Sequence, residues 1–137
     1  MSPADIQLAS FQSECDRISQ AVDGVQYERM RWAKNEGPML ARLVDLAQGA
    51  IAERSEFELT EEGATSDIKR FVLKVHSNRV VGLILWLDQG QAMTQIEEIS
   101  RSRYGVTPGD PVSADYPQVD EAWIAATLQT LFARIRF

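Results

Sequence analysis

The hydrophobic residues of the chain are densest in the segment Ile68–Asp88, where their pattern predicts a β-hairpin. In its first half large apolar side chains recur at every second position, at Phe71, Leu73 and Val75. This is the period of a strand that buries one face. Residues 80–87 are almost wholly apolar, as expected for a strand that is covered on both faces.

The hairpin is predicted to turn through a three-residue loop, His76–Asn78, because Asn tolerates the left-handed conformation that such a loop needs. This loop places Leu73 opposite Val81. A two-residue loop at Ser77 and Asn78 would instead slip the register and mix large aliphatic side chains with cations. One face of the hairpin then contains Phe71, Leu73, Val75, Val81, Leu83, Leu85 and Leu87, and the other contains Val72, Lys74, Val80, Gly82, Ile84 and Trp86.

The amino-terminal segment has the 3-4 apolar spacing of a heptad seam. Ser2, Pro3 and Asp5 are typical of a helix start. The spaced positions are Leu8, Phe11, Cys15, Ile18, Val22 and Val25, followed by Arg29 and Trp32. The pattern predicts one long helix, with an end at Asp23-Gly24 as the alternative. Gly37-Pro38 is predicted to separate it from a second helix, roughly Pro38 to Arg54.

The middle of the chain predicts further strands. Residues 56–62 alternate apolar with acidic side chains, which indicates a short strand at a sheet edge. Residues 94–103 are interpreted as a fourth strand of a meander, although Ile96 and Ile99 also have helical spacing.

The carboxy-terminal part predicts a loop and a helix. Residues 104–116 contain two glycines and two prolines, which favours a loop. Pro117 is predicted to open the last helix, to about Arg136.

The order of elements predicts an α+β fold with two N-terminal helices (the first one long), an antiparallel three- to four-stranded meander and a C-terminal helix. It is divided as residues 1–54 helical, 55–103 sheet, 104–116 loop and 117–137 C-terminal helix, all within a single domain of 137 residues.

Composition narrows the functional classes. Hydrophobic residues make up 45% and charged residues 25%, which are ordinary values for a globular domain. The single cysteine excludes an internal disulfide framework, and MSPADIQL lacks the features of a signal peptide. No apolar run approaches the ~20 residues of a membrane helix. We therefore expect a cytoplasmic protein, and its net charge of −6 disfavours nucleic acid as a partner of the whole chain.

The residues most capable of chemistry have plain structural interpretations. His76 is the only histidine, and a hairpin tip favours a solvated side chain over a general base. Cys15 lies on the apolar seam, where a structural thiol is expected. Residues 53–62 are acidic but match no calcium loop, and residues 105–110 match no phosphate loop. The sequence therefore predicts no catalytic residue, no metal site and no cofactor.

Two surfaces remain as functional hypotheses. A helix of about 32 residues would span ~48 Å, more than a compact domain of this size covers, so the seam of Leu8, Phe11, Cys15, Ile18 and Val22 would need a partner. This favours a non-enzymatic protein–protein interaction module (an adaptor, regulator or inhibitor of a larger assembly) that forms a homodimer through its first helix. The alternative is nucleotide or single-stranded nucleic-acid binding on the face of Arg70, Lys74, Ile84 and Trp86. On balance a helix is expected to cover this second face and bury Trp86.

Overall fold

The structure, a computed structural model, describes residues 2–137 and divides the chain into two units that meet at Pro38. We call residues 2–38 the arm and residues 39–137 the body. Helices α1 (Pro3–Val22) and α2 (Gly24–Ala52) come first in the chain, and α2 contributes to both units. The fold class is α+β, as the sequence predicts.

The start of α1 confirms the predicted capping signal. The Ser2 hydroxyl accepts a hydrogen bond from the Asp5 amide at 3.2 Å, and the Asp5 carboxylate accepts one from the Ser2 amide at 3.2 Å. These reciprocal bonds satisfy backbone donors that the first turn of a helix leaves free.

The prediction that the first helix continues through Gly24 for about 32 residues is wrong, because the chain breaks at Asp23 and α1 has 20 residues. The Asp23 amide donates to the Ser19 carbonyl at 3.1 Å, and its carboxylate accepts from the Gln26 amide at 3.0 Å. One residue, Asp23, therefore both ends α1 and caps the start of α2. The alternative of an end at Asp23-Gly24 is the correct one.

The predicted interruption at Gly37-Pro38 is also wrong, since Pro38 lies inside α2. A proline in a helix interior costs about 3 kcal/mol relative to alanine. Beyond it, however, α2 presents a stripe of buried residues at helical spacing: Leu40, Leu43, Ala47 and Ile51. Tertiary packing of such a stripe supplies most of the stability of a helix in a protein, so it outweighs the local penalty.

The body contains a five-stranded antiparallel sheet. In order across the sheet its strands are β1 (Phe57–Glu61), β2 (Ile68–Val75), β3 (Asn78–Asp88), β4 (Gln91–Glu97) and β6 (Val112–Asp115). Two short strands, β5 (Gly105–Val106) and β7 (Ile135–Arg136), pair separately with each other. The predicted edge strand is confirmed, and the strand interpretation of residues 94–103 is correct for residues 94–97 but wrong for residues 98–103, because β4 ends at Glu97. The loop prediction for residues 104–116 is wrong in part, because β6 adds a fifth strand to the predicted meander.

The β2–β3 hairpin has the predicted register, but its loop differs from the predicted one. Its loop has two residues, His76 and Ser77, both with positive φ, and not the predicted three. Leu73 still faces Val81, because the register shifts between Leu73 and Lys74 and leaves Val80 as an extra residue on β3. A β-bulge of this kind absorbs one residue and preserves which side chains share a face.

The last helix, α3, spans Glu121–Phe132 and is shorter than predicted. Pro117 belongs to a 3-10 turn, Tyr116–Gln118, and α3 starts where the Asp120 carboxylate accepts from the Trp123 amide at 2.8 Å. Residues beyond Phe132 turn back to form β7 instead of extending the helix.

Within the body, the helices pack against one face of the sheet. Gln48 of α2 donates to the Leu59 carbonyl of β1 at 3.2 Å, and Phe132 of α3 lies 6.5 Å from the Phe57 ring. The sheet residues of this face belong to the core, and Phe71, Leu73, Val81, Leu83 and Leu85 are each at most 4% exposed. Among the described residues, no helix combines the length and apolarity needed to cross a bilayer.

Candidate interaction surfaces

The predicted seam lies on α1, and none of the twenty residues of that helix is buried. A helix of a globular protein ordinarily turns an apolar stripe towards the core. The large seam residues are instead exposed: Leu8 by 60%, Phe11 by 61%, Ile18 by 54% and Val22 by 80%. The fifth member, Cys15, is partly buried.

A helix that buries none of its residues is poorly stabilised by the rest of its own chain. Isolated helices shorter than ~12–15 residues are marginal in water, and longer ones depend on propensity unless packing supports them. The twenty residues of α1 have a good cap at Ser2 and one surface ion pair, Arg17–Glu14 at 3.0 Å. Such an exposed pair contributes at most about 1 kcal/mol. The seam therefore leaves large apolar side chains exposed on a helix that the rest of its own chain stabilises little.

The break at Asp23 places α1 beside the first turns of α2, and together they form a groove in the arm. Its volume is about 460 Å³, and it is lined by Cys15, Asp16, Ser19, Tyr27, Met30, Arg31, Lys34 and Asn35. Met30 is 60% exposed and Val25 is 67% exposed, so the apolar surface of the arm continues from α1 onto α2. The sequence prediction missed this groove because it assumed one continuous helix; the capping potential of Asp23 was the signal for it.

The charges along the groove differ in how far they are neutralised. Arg31 donates to the Glu28 carboxylate at 3.1 Å and lies 3.9 Å from Glu36, and the hydrogen bond to Glu28 is the main cause that raises the pKa of Arg31. Asp16 and Lys34 are exposed, and neither makes an ion pair within residues 2–137. One free charge of each sign therefore flanks the groove.

The second predicted surface lies on the sheet face opposite the helices of the body, and we call it the open face. Arg70 is paired across the strands with Ile84, and Trp86 lies between Ile68 of β2 and Met93 of β4. Ile68, Ile84, Trp86 and Met93 are all partly exposed. The prediction that a helix buries Trp86 is wrong, since α3 and the body portion of α2 both pack on the other face.

Each of the two cations of the open face has a carboxylate on another strand of the sheet. Arg70 forms an ion pair with Glu97 at 3.1 Å, which crosses the sheet above Gly82. Lys74 faces Glu58 across the β1–β2 ladder. The sequence placed the two cations on this face correctly but did not identify the acids of the neighbouring strands.

His76 lies where the sequence placed it, exposed at the hairpin tip. It also borders an apolar pocket of about 290 Å³, whose other lining residues are Phe57, Leu73, Val75, Asn78, Val80, Tyr104, Phe132, Ile135 and Phe137. This lining contains no Asp, Glu, Ser, Thr, Cys or Lys side chain, and the Tyr104 phenol is its one hydroxyl group. Within residues 2–137 no group of three or more His, Cys, Asp or Glu side chains is arranged to hold a metal ion.

Comparison of the chain with protein-family models, with characterised proteins and with solved structures found no match to any of them.

Proposed function

We propose that the protein is a non-enzymatic protein–protein interaction module, an adaptor, regulator or inhibitor within a larger assembly, and that it self-associates through α1. One observation carries this proposal: α1 exposes an aligned row of large apolar residues and buries none of its twenty residues.

The free energy that burial of the seam would contribute supports this proposal. Complete burial of one large aliphatic or aromatic side chain contributes about 1.5–3 kcal/mol. Leu8, Phe11, Ile18 and Val22 are each more than half exposed. Covering four such side chains gives several kcal/mol per helix, and a two-fold complex doubles the gain. That is of the order needed to offset the 4–15 kcal/mol that association costs in lost freedom.

The test is the molar mass of seam variants, measured by light scattering after size exclusion. The double variant Phe11→Glu/Ile18→Glu is expected to be monomeric, because association would bury two carboxylates without partners. Both side chains are exposed in the single chain, so the monomer itself should keep its fold and its urea midpoint.

Ile6 provides a matched control on the same helix. It is 51% exposed, close to Ile18 at 54%, yet it lies about 140° around α1 from Phe11 at 3.6 residues per turn. Ile6→Glu should therefore leave the oligomer intact. Equal effects of the control and of the seam variant would contradict the proposal.

A second candidate is nucleotide or single-stranded nucleic-acid binding on the open face, favoured by the partial exposure of Trp86 beside Arg70 and Lys74. Stacking on an aromatic side chain contributes ~1–3 kcal/mol per base. Arg70, however, is paired with Glu97, and the carboxylate of Glu58 lies across the ladder from Lys74, so these acids weaken attraction for phosphates.

A fluorescence titration with oligo(dT) at low salt distinguishes the two functions. We expect no quenching of Trp86 above that of a Trp86→Phe control. Saturable, salt-sensitive quenching that the control lacks would favour nucleic-acid binding.

A further inference from the structure

We infer that the apolar pocket beside the tip of the β2–β3 hairpin is a binding site for a small uncharged bicyclic aromatic molecule that carries a hydroxyl group. All residues that line this pocket belong to the body, so the inference does not depend on the arm or on self-association. The volume of the pocket is about 290 Å³. An apolar cavity of about 150 Å³ binds benzene, so this pocket has the space for a second ring.

The walls of the pocket come from elements whose positions are fixed by backbone pairing. Phe57 of β1 pairs with Val75 of β2, Phe132 ends α3, and Ile135 of β7 pairs with Val106 of β5. The four lining residues among these, Phe57, Val75, Phe132 and Ile135, are only partly buried, so part of their apolar surface remains for a ligand to cover. Sites for small molecules are typically concave, apolar and formed in advance in this way.

The rings of the lining favour an aromatic ligand over an acyl chain. The Phe57 ring lies 6.5 Å from the Phe132 ring, and the Tyr104 ring meets the Phe137 ring edge to face at 5.5 Å. Phe137 is 96% exposed, so almost all of its apolar surface is still free to pack against a ligand. A ligand ring placed against these rings gains stacked or edge-to-face contacts in addition to the burial of its area, and an acyl chain gains only the burial.

The polar groups of the lining favour an uncharged ligand with one hydroxyl group. The lining contains no Asp, Glu, Lys or Arg, so an ion buried there would lose its hydration without gaining a charged partner. The Tyr104 oxygen accepts from Arg103 at 3.3 Å, and its own O–H donates to no acceptor within residues 2–137. The Asn78 amide nitrogen donates to the carbonyls of Val75 and His76, which leaves its side-chain carbonyl as an acceptor. A ligand hydroxyl can use a donor and an acceptor of this kind.

Calorimetric titration of the full chain with 2-naphthol and two analogues tests the class of ligand. 2-Naphthol should bind saturably with one molecule per chain. Naphthalene-2-sulfonate should bind about tenfold more weakly because its charge finds no partner in the lining, and 1-octanol about tenfold more weakly because it makes no ring contacts. Either analogue binding as tightly as 2-naphthol would overturn the assigned class, and no saturable binding of 2-naphthol would overturn the site.

Variants that fill the pocket test its location. Val75→Trp and Ile135→Trp each add a large ring from a different wall and should weaken 2-naphthol binding at least about tenfold. Val112→Trp is the matched control, because Val112 is also a half-buried strand valine but lies on β6, outside the lining. 2-Naphthol should raise the urea midpoint of wild type and of this control, and not that of the two filled variants. Wild-type affinity in a folded filled variant would contradict the inference.

Tyr104→Phe tests the hydroxyl contact in a variant that keeps the aromatic wall. It should weaken 2-naphthol binding by about three- to tenfold, the equivalent of one neutral hydrogen bond, and leave the binding of naphthalene unchanged. Equal effects on the two ligands, or no effect on 2-naphthol, would overturn the assignment of a hydroxyl-bearing ligand.

Discussion

Gly82→Ala is expected to destabilise the protein, because the open face leaves no room for a methyl group at this position. A Cβ built on Gly82 would lie 2.9 Å from Cγ of Glu97 and 3.0 Å from Cγ2 of Ile99. Both neighbours would have to move, and Glu97 holds the ion pair with Arg70. Gly82 itself is buried between β2 and β4, so the added methyl cannot escape into solvent.

The expected cost follows from two opposed effects. Overpacking a filled site costs typically 1–3 kcal/mol. Replacing a strand glycine by alanine returns roughly 0.5–1 kcal/mol of backbone entropy. The net loss should therefore be about 1 kcal/mol, with a further contribution where the Arg70–Glu97 pair is displaced.

Gly49→Ala makes the same chemical change with the opposite expected sign. Gly49 lies inside α2, and nothing is within 4 Å of a Cβ built there. Alanine should therefore raise stability by about 0.5–1 kcal/mol through helix propensity alone. Urea unfolding of both variants and of wild type measures the two changes in the free energy of unfolding. A Gly82→Ala midpoint at or above that of wild type would refute the described packing of Glu97 and Ile99.

Three further substitutions test separate features. Trp86→Ala should cost about 2 kcal/mol of unfolding free energy, roughly half the loss for an aromatic residue emptied from a core, because the ring is partly exposed; a loss above 4 kcal/mol would indicate full burial. His76→Ala should change the urea midpoint by less than the equivalent of about 0.5 kcal/mol, the usual range for surface substitutions. Two hydrogen bonds from Arg79 lower the pKa of Glu62, so the pair stabilises the fold above the ordinary glutamate pKa and loses this effect as pH falls through the lowered value. Wild type should therefore exceed Glu62→Gln in stability at neutral pH and converge with it in acid, and a constant difference across the titration would contradict this.

The sequence predicted those elements whose hydrophobic pattern and local signals agree. The cap at Ser2, the edge strand β1 and the faces of the β2–β3 hairpin follow from spacing and from residues with a clear conformational preference. The faces were correct although the loop was not, since the bulge at Val80 restores the register that the two-residue loop would otherwise shift.

The errors lie where tertiary packing overrides a local preference or where a short signal was discounted. Pro38 was interpreted as a break because proline opposes a helix interior, but the buried stripe from Leu40 to Ile51 maintains α2 through it. Asp23 has the chemistry of a cap, yet the 3-4 spacing continues across it and hides the break. The four residues of β6 are too few, between prolines, to produce a recognisable alternation.

The candidate surfaces also combine features that the sequence predicts with features that it does not. The seam of α1 was predictable because its five positions follow one rule of spacing. The groove was not, since Asp16, Tyr27 and Lys34 come together only once the chain turns at Asp23. The carboxylates beside the cations of the open face belong to other strands, and only the sheet register brings them there.

Hydrogen exchange of the α1 amides at several protein concentrations tests the central claim most directly. Within one chain α1 has no buried residue, so the proposed self-association would be its source of protection from exchange. We expect the amides of residues 6–22 to exchange within seconds in dilute solution and to become protected as concentration rises, while β3 stays protected throughout. Exchange of α1 that does not depend on concentration, whether uniformly fast or uniformly slow, would contradict the account.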